Sequence, residues 1–268
     1  MTNKQEICRI ADLMDAIVST SLAKQGHSHL KIWICGHEDE KYKLQPGVYR
    51  DNFLPGANQE QRLKTEQHLS QDFRIYSSGL RESYLTNSQI YFLQQHYGMP
   101  TRLLDWSNDP LAALFFAVNN ETHDNKNGSI FIMEAYQLTE HQNAQYIDKD
   151  KNKKDFRGIA TGENPVFKSA LNVINSWLKP SDFPDFIIPV RSDFFDKRTK
   201  TQRSCFTFHV PGKEMLNENH NHTLKEFLIP MKAKKEIRDE LTLLGIDHFK
   251  ICGDLNSLSK TLKINYCK

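Results

Sequence analysis

Apolar residues at Ile7, Ile10, Leu13, Met14, Ile17 and Val18 recur at helical spacing. An amphipathic helix over 4–24, within an N-terminal segment of residues 1–30, is therefore expected to pack on something larger. The segment "KIWICGHEDEKYKLQPGVYRDNF" then reads as a short apolar run, a charged turn and a loop marked by Pro46, Gly47, Pro55 and Gly56. A helix is expected over 58–73. The next one has Thr86, Asn87 or Ser88 as N-cap, ends at His96 and Tyr97, and is closed by Gly98 and Pro100. A further helix starts at Asn108 or Asp109 with Pro110 in its first turn, and its body "LAALFFAV" is apolar nearly all round, which requires burial. Later, "GSIFIMEA" and "SCFTFHVP" read as strands, the second by alternation of Phe206, Phe208 and Val210 against Cys205, Thr207 and His209. A helix over 231–244, a strand "DHFKI" and a last helix near 254–263 complete the pattern. Helices lead and strands follow, so the expected class is α+β with a mixed or antiparallel sheet. Residues 136–190, rich in Asn, Asp, Lys and Pro, read as an insertion or a system of long loops.

The link "MPTRLLDWS" between two helices is where polar chemistry meets the core. Charged Arg102 and Asp105 must there be paired or face a ligand, since isolated buried charges cost several kcal/mol. Their three-residue spacing admits an ion pair clamping the link, and equally a direct role in a site. The totals add little: 268 residues, 35 Lys and Arg against 33 Asp and Glu, for a net charge of +2, neither demand nor exclude nucleic acid. The basic runs Asp148–Arg157 and Asp196–Arg203 read as solvated loops. One domain over 1–268 is expected, in the cytoplasm: no run is long and apolar enough for a membrane span, and no leader-like segment opens the chain. The five cysteines, Cys8, Cys35, Cys205, Cys252 and Cys267, are scattered and read as free thiols. The His27–His29 and His220–His222 strings lack partners at ligand spacing, so no metal is expected. No phosphate-binding or dinucleotide-binding glycine motif occurs. Cys35 beside His37 reads as a buried thiol, not a nucleophile.

With these residues in view, "QHYGMPTRLLDWSNDPLAALFFA" resembles the signature segment of the FRG domain family, named for a Phe-Arg-Gly motif. "IWICGHEDEKYKLQPGVYRDNF", "RTKTQRSCFTFH" and the stretch from Phe227 to Lys260 resemble further pieces of that family in order. Two positions depart from it. The name motif falls on Ile34, Cys35 and Gly36, with Cys35 in place of its Arg, and Gln202 stands where such enzymes carry an acid. The literal Phe156, Arg157, Gly158 lies downstream, in a basic loop, and reads as coincidence. The resemblance implies an ADP-ribosyltransferase-like fold, with mixed or antiparallel sheets and N-terminal helices packed around a central cleft. For some members it also implies toxic transfer of ADP-ribose from NAD in antiphage or toxin–antitoxin systems. Breaking the nicotinamide–ribose bond passes through an oxocarbenium-like state, so the site must fix the nicotinamide, neutralise the pyrophosphate and hold the ribose hydroxyls. Carried over residue by residue, Gly36, His37, Arg50, Tyr97, Arg102 and Phe206 are expected to bind NAD. Tyr97 would stack on the ring and Arg50 or Arg102 would engage phosphate. Gln202 occupies the catalytic acid's position. A neutral amide takes no proton, so Asp105 or His96 would act as base, beside Tyr97. Expected partners are NAD, a nucleic acid acceptor (single-stranded RNA above all) or a protein, and an antitoxin, with no membrane. The alternative is a non-catalytic FRG module that binds a nucleotide, a phage component or an antitoxin.

Overall fold

A computed structural model describes residues 4–19, 32–81, 84–147, 158–192, 201–216 and 223–267. The two histidine strings, Phe156 and Arg157, and most of both basic runs lie outside these residues.

The chain enters with α1 (Ile10–Val18), shorter than the expected 4–24; Glu6 ahead of it bridges to Leu228. After β1 (Ile32–His37) and a 3-10 turn at Gly47–Tyr49 come α2 (Gln59–Tyr76) and α3 (Asn87–His96). Thr86 caps α3 by accepting from the Gln89 N–H, and Gly98 takes φ 78 beyond its end. β2 (Leu103–Ser107) leads into α4 (Pro110–Val118), where Asp109 accepts from the N–H groups of Leu111 and Ala112 and Pro110 fills the first turn. Then follow β3 (Gly128–Glu134), α5 (Ala135–Ile147), β4 (Ala160–Thr161), α6 (Pro165–Asn175), β5 (Ile188–Arg191), β6 (Ser204–Phe208) and β7 (Leu224–Ile229). Three helices end the chain: α7 (Lys234–Leu243), α8 (His248–Cys252) and α9 (Leu255–Tyr266).

All seven strands join one sheet in the order β4-β5-β6-β2-β1-β3-β7, antiparallel except for the β4–β5 pair. The fold is α+β with a mixed sheet. Directly opposed residues share a face, so the registers Ile34↔Ser107, Asp105↔Phe206 and Leu103↔Phe208 place Ile34, Gly36, Asp105, Leu103 and Phe206 on the same side. That side carries two helical cores. α1, α4, α7 and α8 cover β1, β3 and β7 through Ile34, Ile130, Leu114 and Ile237, while α2, α3 and α6 cover β2, β5 and β6 through Phe92, Phe167, Val190 and Phe208. The other face buries Trp33, Leu104, Trp106, Phe131 and Met133 with Leu138 of α5.

Three expectations are corrected here. The link "MPTRLLDWS", expected as a loop, carries the central strand β2 over Leu103–Ser107. Arg102 sits just ahead of that strand and pairs with Glu66, whereas Asp105 accepts from Gln95, so the two do not pair with each other. The expected strand "DHFKI" is helix α8, because Asp247 caps it by accepting from the Lys250 N–H and Gly253 closes it at φ 71. Residues 136–190, expected as loops, supply α5, β4, α6 and β5 and much of one core.

Candidate functional site

The sheet is unevenly stitched. β1 pairs with β3 at six positions and β2 with β6 at five, yet among the described residues β1 and β2 share one paired position, Ile34 with Ser107. Beyond that pair, Cys35–His37 and Leu104–Trp106 part, and a cavity of about 380 Å3 fills the opening between the two helical cores. α3 contributes Phe92, Gln95 and His96; α4 contributes Ala113 and Phe116.

Gly36 sets the distance between β1 and α4. A Cβ there would fall on the Ala113 carbonyl oxygen and come within 3.0 Å of the Ala117 Cβ. Glycine at this position serves helix–strand packing as much as any ligand. Gly36→Ala is therefore expected to push α4 outward and cost about 1–3 kcal/mol, read as a lowered melting temperature.

Next along the strand, His37 Nδ1 lies 3.2 Å from the Tyr42 carbonyl, and a carbonyl only accepts, so Nδ1 carries the proton. Its Nε2 then accepts from the Cys35 thiol at 3.5 Å. Burial pulls His37 down to about 4, with nearby Arg50 adding to the effect, and burial pushes the Cys35 thiol far above its ordinary range. Both groups are neutral at pH 7, and Cys35 is no thiolate nucleophile.

On the facing strand, Thr101 Oγ1 donates to Gln95 Oε1 and Gln95 Nε2 donates to the Asp105 carboxylate, which fixes the amide and aims Asp105. Trp106 is held in the wall by donating to Thr207 Oγ1 at 3.0 Å, and Phe206 stacks on Phe92 at 5.2 Å. Gln202 lies ahead of β6, and Arg203 follows it at φ 45, a left-handed conformation that costs a non-glycine residue about 1 kcal/mol or more. The Gln202 carbonyl accepts from Ser107 Oγ at 2.6 Å, and its buried Nε2 has no hydrogen-bond partner among the described residues. A buried amide nitrogen in that condition is suited to a ligand acceptor.

Of the nine residues singled out in the sequence, Gly36, His37, Arg50, His96, Asp105, Gln202 and Phe206 line this cavity. Two do not. Tyr97 caps the end of α3 and turns outward, 70% exposed, its ring against that of His96 at 5.0 Å. It does not stack over the cavity. Arg102 is 1% exposed and faces away from any ligand. Its Nε donates to Glu66 Oε2 at 2.8 Å, Nη1 donates to the Tyr49 hydroxyl, and its backbone N–H donates to Tyr91 OH, which itself donates to Glu66 Oε1 at 2.9 Å. Burial raises the Glu66 carboxyl, and the Arg102 guanidinium opposes that rise. Because Tyr49 ends the 3-10 turn, this network anchors the turn that presents Arg50. Arg62 reinforces it by donating to the carbonyls of Val48 and Leu54, both at 2.9 Å. The sequence reading passed over Glu38, Tyr42, Gln95, Trp106 and Phe116, all of which line the cavity.

Among the described residues no group of three or more His, Cys, Asp or Glu is arranged to hold a metal, and no helix is long and apolar enough to cross a membrane.

The protein is thus an α+β domain whose sheet opens at its centre onto a polar-lipped, aromatic-walled cavity. Residues 31–126 match the model of the FRG domain, and that stretch is similar to the family. The match takes in every lining residue except Gln202, Ser204 and Phe206. No curated protein and no solved structure matches the chain.

Proposed function

We propose that the chain is an NAD-dependent ADP-ribosyltransferase acting as a toxin in a bacterial antiphage or toxin–antitoxin system, with RNA, another nucleic acid or a protein as acceptor. One observation carries the reading: seven residues chosen for NAD chemistry, distant in sequence, converge on one cavity at the opening of the sheet. Its volume lies within the range of roughly 300–1,000 Å3 usual for small-molecule sites. Trp106, Phe116 and Phe206 supply apolar walls for a nicotinamide ring, and Arg50 at the rim supplies a planar fork for diphosphate. Asp105, oriented by Gln95, and the amide of Gln202 supply hydrogen bonds to ribose hydroxyls, which strengthen as positive charge develops at C1′. The Asp105 carboxylate is the acid-derived charge that Gln202 cannot provide.

Incubation with labelled NAD and separate pools of RNA, DNA and protein tests this, alongside calorimetry with NAD. Wild type is expected to give heat and to transfer label to one pool. Arg50→Ala is expected to weaken binding, while Asp105→Asn abolishes transfer with the melting point unchanged, since Asp105 is exposed and its side chain is held by Gln95. No heat at saturating NAD overturns the proposal. Heat without transfer, in all three pools, points instead to the non-catalytic binding module, which Cys35 and Gln202 in place of Arg and acid favour.

A further inference from the structure

We infer that Glu38, His123 and Tyr42 form a proton relay on the cavity wall, with Tyr42 taking the proton from the acceptor. The inference rests on the transferase reading above. Glu38 and Tyr42 line the cavity on either side of the charged turn after β1, and His123 comes from the 3-10 turn at Glu121–His123 after α4. The fold brings these distant residues together: His123 Nδ1 lies 3.1 Å from Glu38 Oε2 and His123 Nε2 lies 3.4 Å from the Tyr42 hydroxyl.

The scaffold around them is specific. Lys234 Nζ donates to the carbonyls of Glu38 at 2.7 Å and His123 at 2.8 Å, pinning both backbones. Thr122 donates through its N–H and its hydroxyl to Asn120 Oδ1, which turns Asn120 Nδ2 toward Glu38 Oε2 at 3.0 Å. With that oxygen receiving Asn120, the His123–Glu38 contact is attractive when Nδ1 carries the proton. Nε2 is then the acceptor facing Tyr42. Asn120 Nδ2 also lies 2.9 Å from His123 Nδ1, and Thr122 Oγ1 3.3 Å from it, so the opposite tautomer, with Nδ1 accepting from Asn120, is the arrangement to be distinguished. The charged groups nearby are already engaged: Lys126 pairs with Asp39 at 2.8 Å and Arg238 with Asp124 at 2.6 Å.

In the transfer, the C1′–N bond of NAD breaks and its electron pair leaves with nicotinamide, while a lone pair of the acceptor forms the new bond to C1′. The acceptor's proton passes to the Tyr42 oxygen as the Tyr42 proton moves to His123 Nε2. The imidazolium so formed is stabilised by Glu38, the logic by which a carboxylate supports a histidine base. A hydrogen bond of 3.4 Å to the phenol is of the length such contacts show before substrate binds.

Two measurements decide the matter. Nitrogen-15 NMR of the His123 ring in the unliganded chain is expected to show the proton on Nδ1; a proton on Nε2 overturns the relay. Tyr42→Phe and His123→Gln are expected to lower transfer about 100-fold with the heat of NAD binding and the melting point unchanged. Full transfer in Tyr42→Phe overturns the relay while leaving the transferase reading intact. Absence of NAD heat in wild type overturns that reading, and the relay with it.

Discussion

Glu66→Ala is expected to destabilise the protein by about 3–5 kcal/mol, the cost of leaving a buried charge without its partner. Glu66 and Arg102 are 2% and 1% exposed, and the guanidinium sits 4.3 Å from the Phe183 ring centroid with no route to water. Removing the carboxylate also strands the Tyr91 hydroxyl, which donates to it. At this chain length the loss corresponds to a fall in melting temperature on the order of 10 °C. Arg102→Met alone is expected to cost a similar amount. The double variant Glu66→Leu with Arg102→Met should lose far less than the sum, because no unpaired charge remains. Thermal melts of the three variants check this, and additive losses would show that the two residues act independently. Arg102→Lys should not rescue stability, since an ammonium cannot serve Glu66 and Tyr49 in one plane.

Acid sensitivity centred on His37 is the second large effect. Its folded pKa, about 4, lies below the ordinary value of 6.5. As pH falls below 6.5 the unfolded chain takes up a proton that the folded chain refuses until about pH 4. Stability is therefore complete above 6.5 and is lost progressively down to 4, by on the order of 3 kcal/mol at most. His37→Asn keeps a donor toward the Tyr42 carbonyl and cannot titrate. Chemical denaturation of both forms between pH 4 and 7 should give wild type the steeper dependence, and parallel curves would refute the assignment.

The helices around the site were legible because their signals are local: Thr86 three residues before Gln89, Asp109 before Pro110, Gly98 after α3. β2 was not. With Leu103, Leu104, Trp106 and Ser107 all buried, it lacks the alternation of a strand with one wet face, and Pro100 and the two charges around it imitate a loop. The need for a partner at Arg102 could be read, but the partner is Glu66, 36 residues away on another helix. Tyr97 was misplaced because one residue past a helix end the backbone leaves helical geometry, and the side chain leaves the face occupied by His96. Asp105 and Gln202 were found as residue types without neighbours; only the folded chain supplies Gln95 beside one and Ser107 beside the other. Glu38, Tyr42 and His123 carry no spacing signature, since the sheet register and a buried lysine bring them together.

The stretch that matches the FRG model is shorter than the stretch that makes the site. β3, which pairs with all six residues of β1, begins at Gly128, and β6, which holds β2 from the far side, begins at Ser204. A polypeptide cut at residue 126 would keep the whole of that match and lose the outer neighbour of each of its two central strands. Exchanging this region between homologues would consequently transplant a pocket without its Gln202, Ser204 and Phe206 wall; the smallest portable unit must run through Phe208 at least.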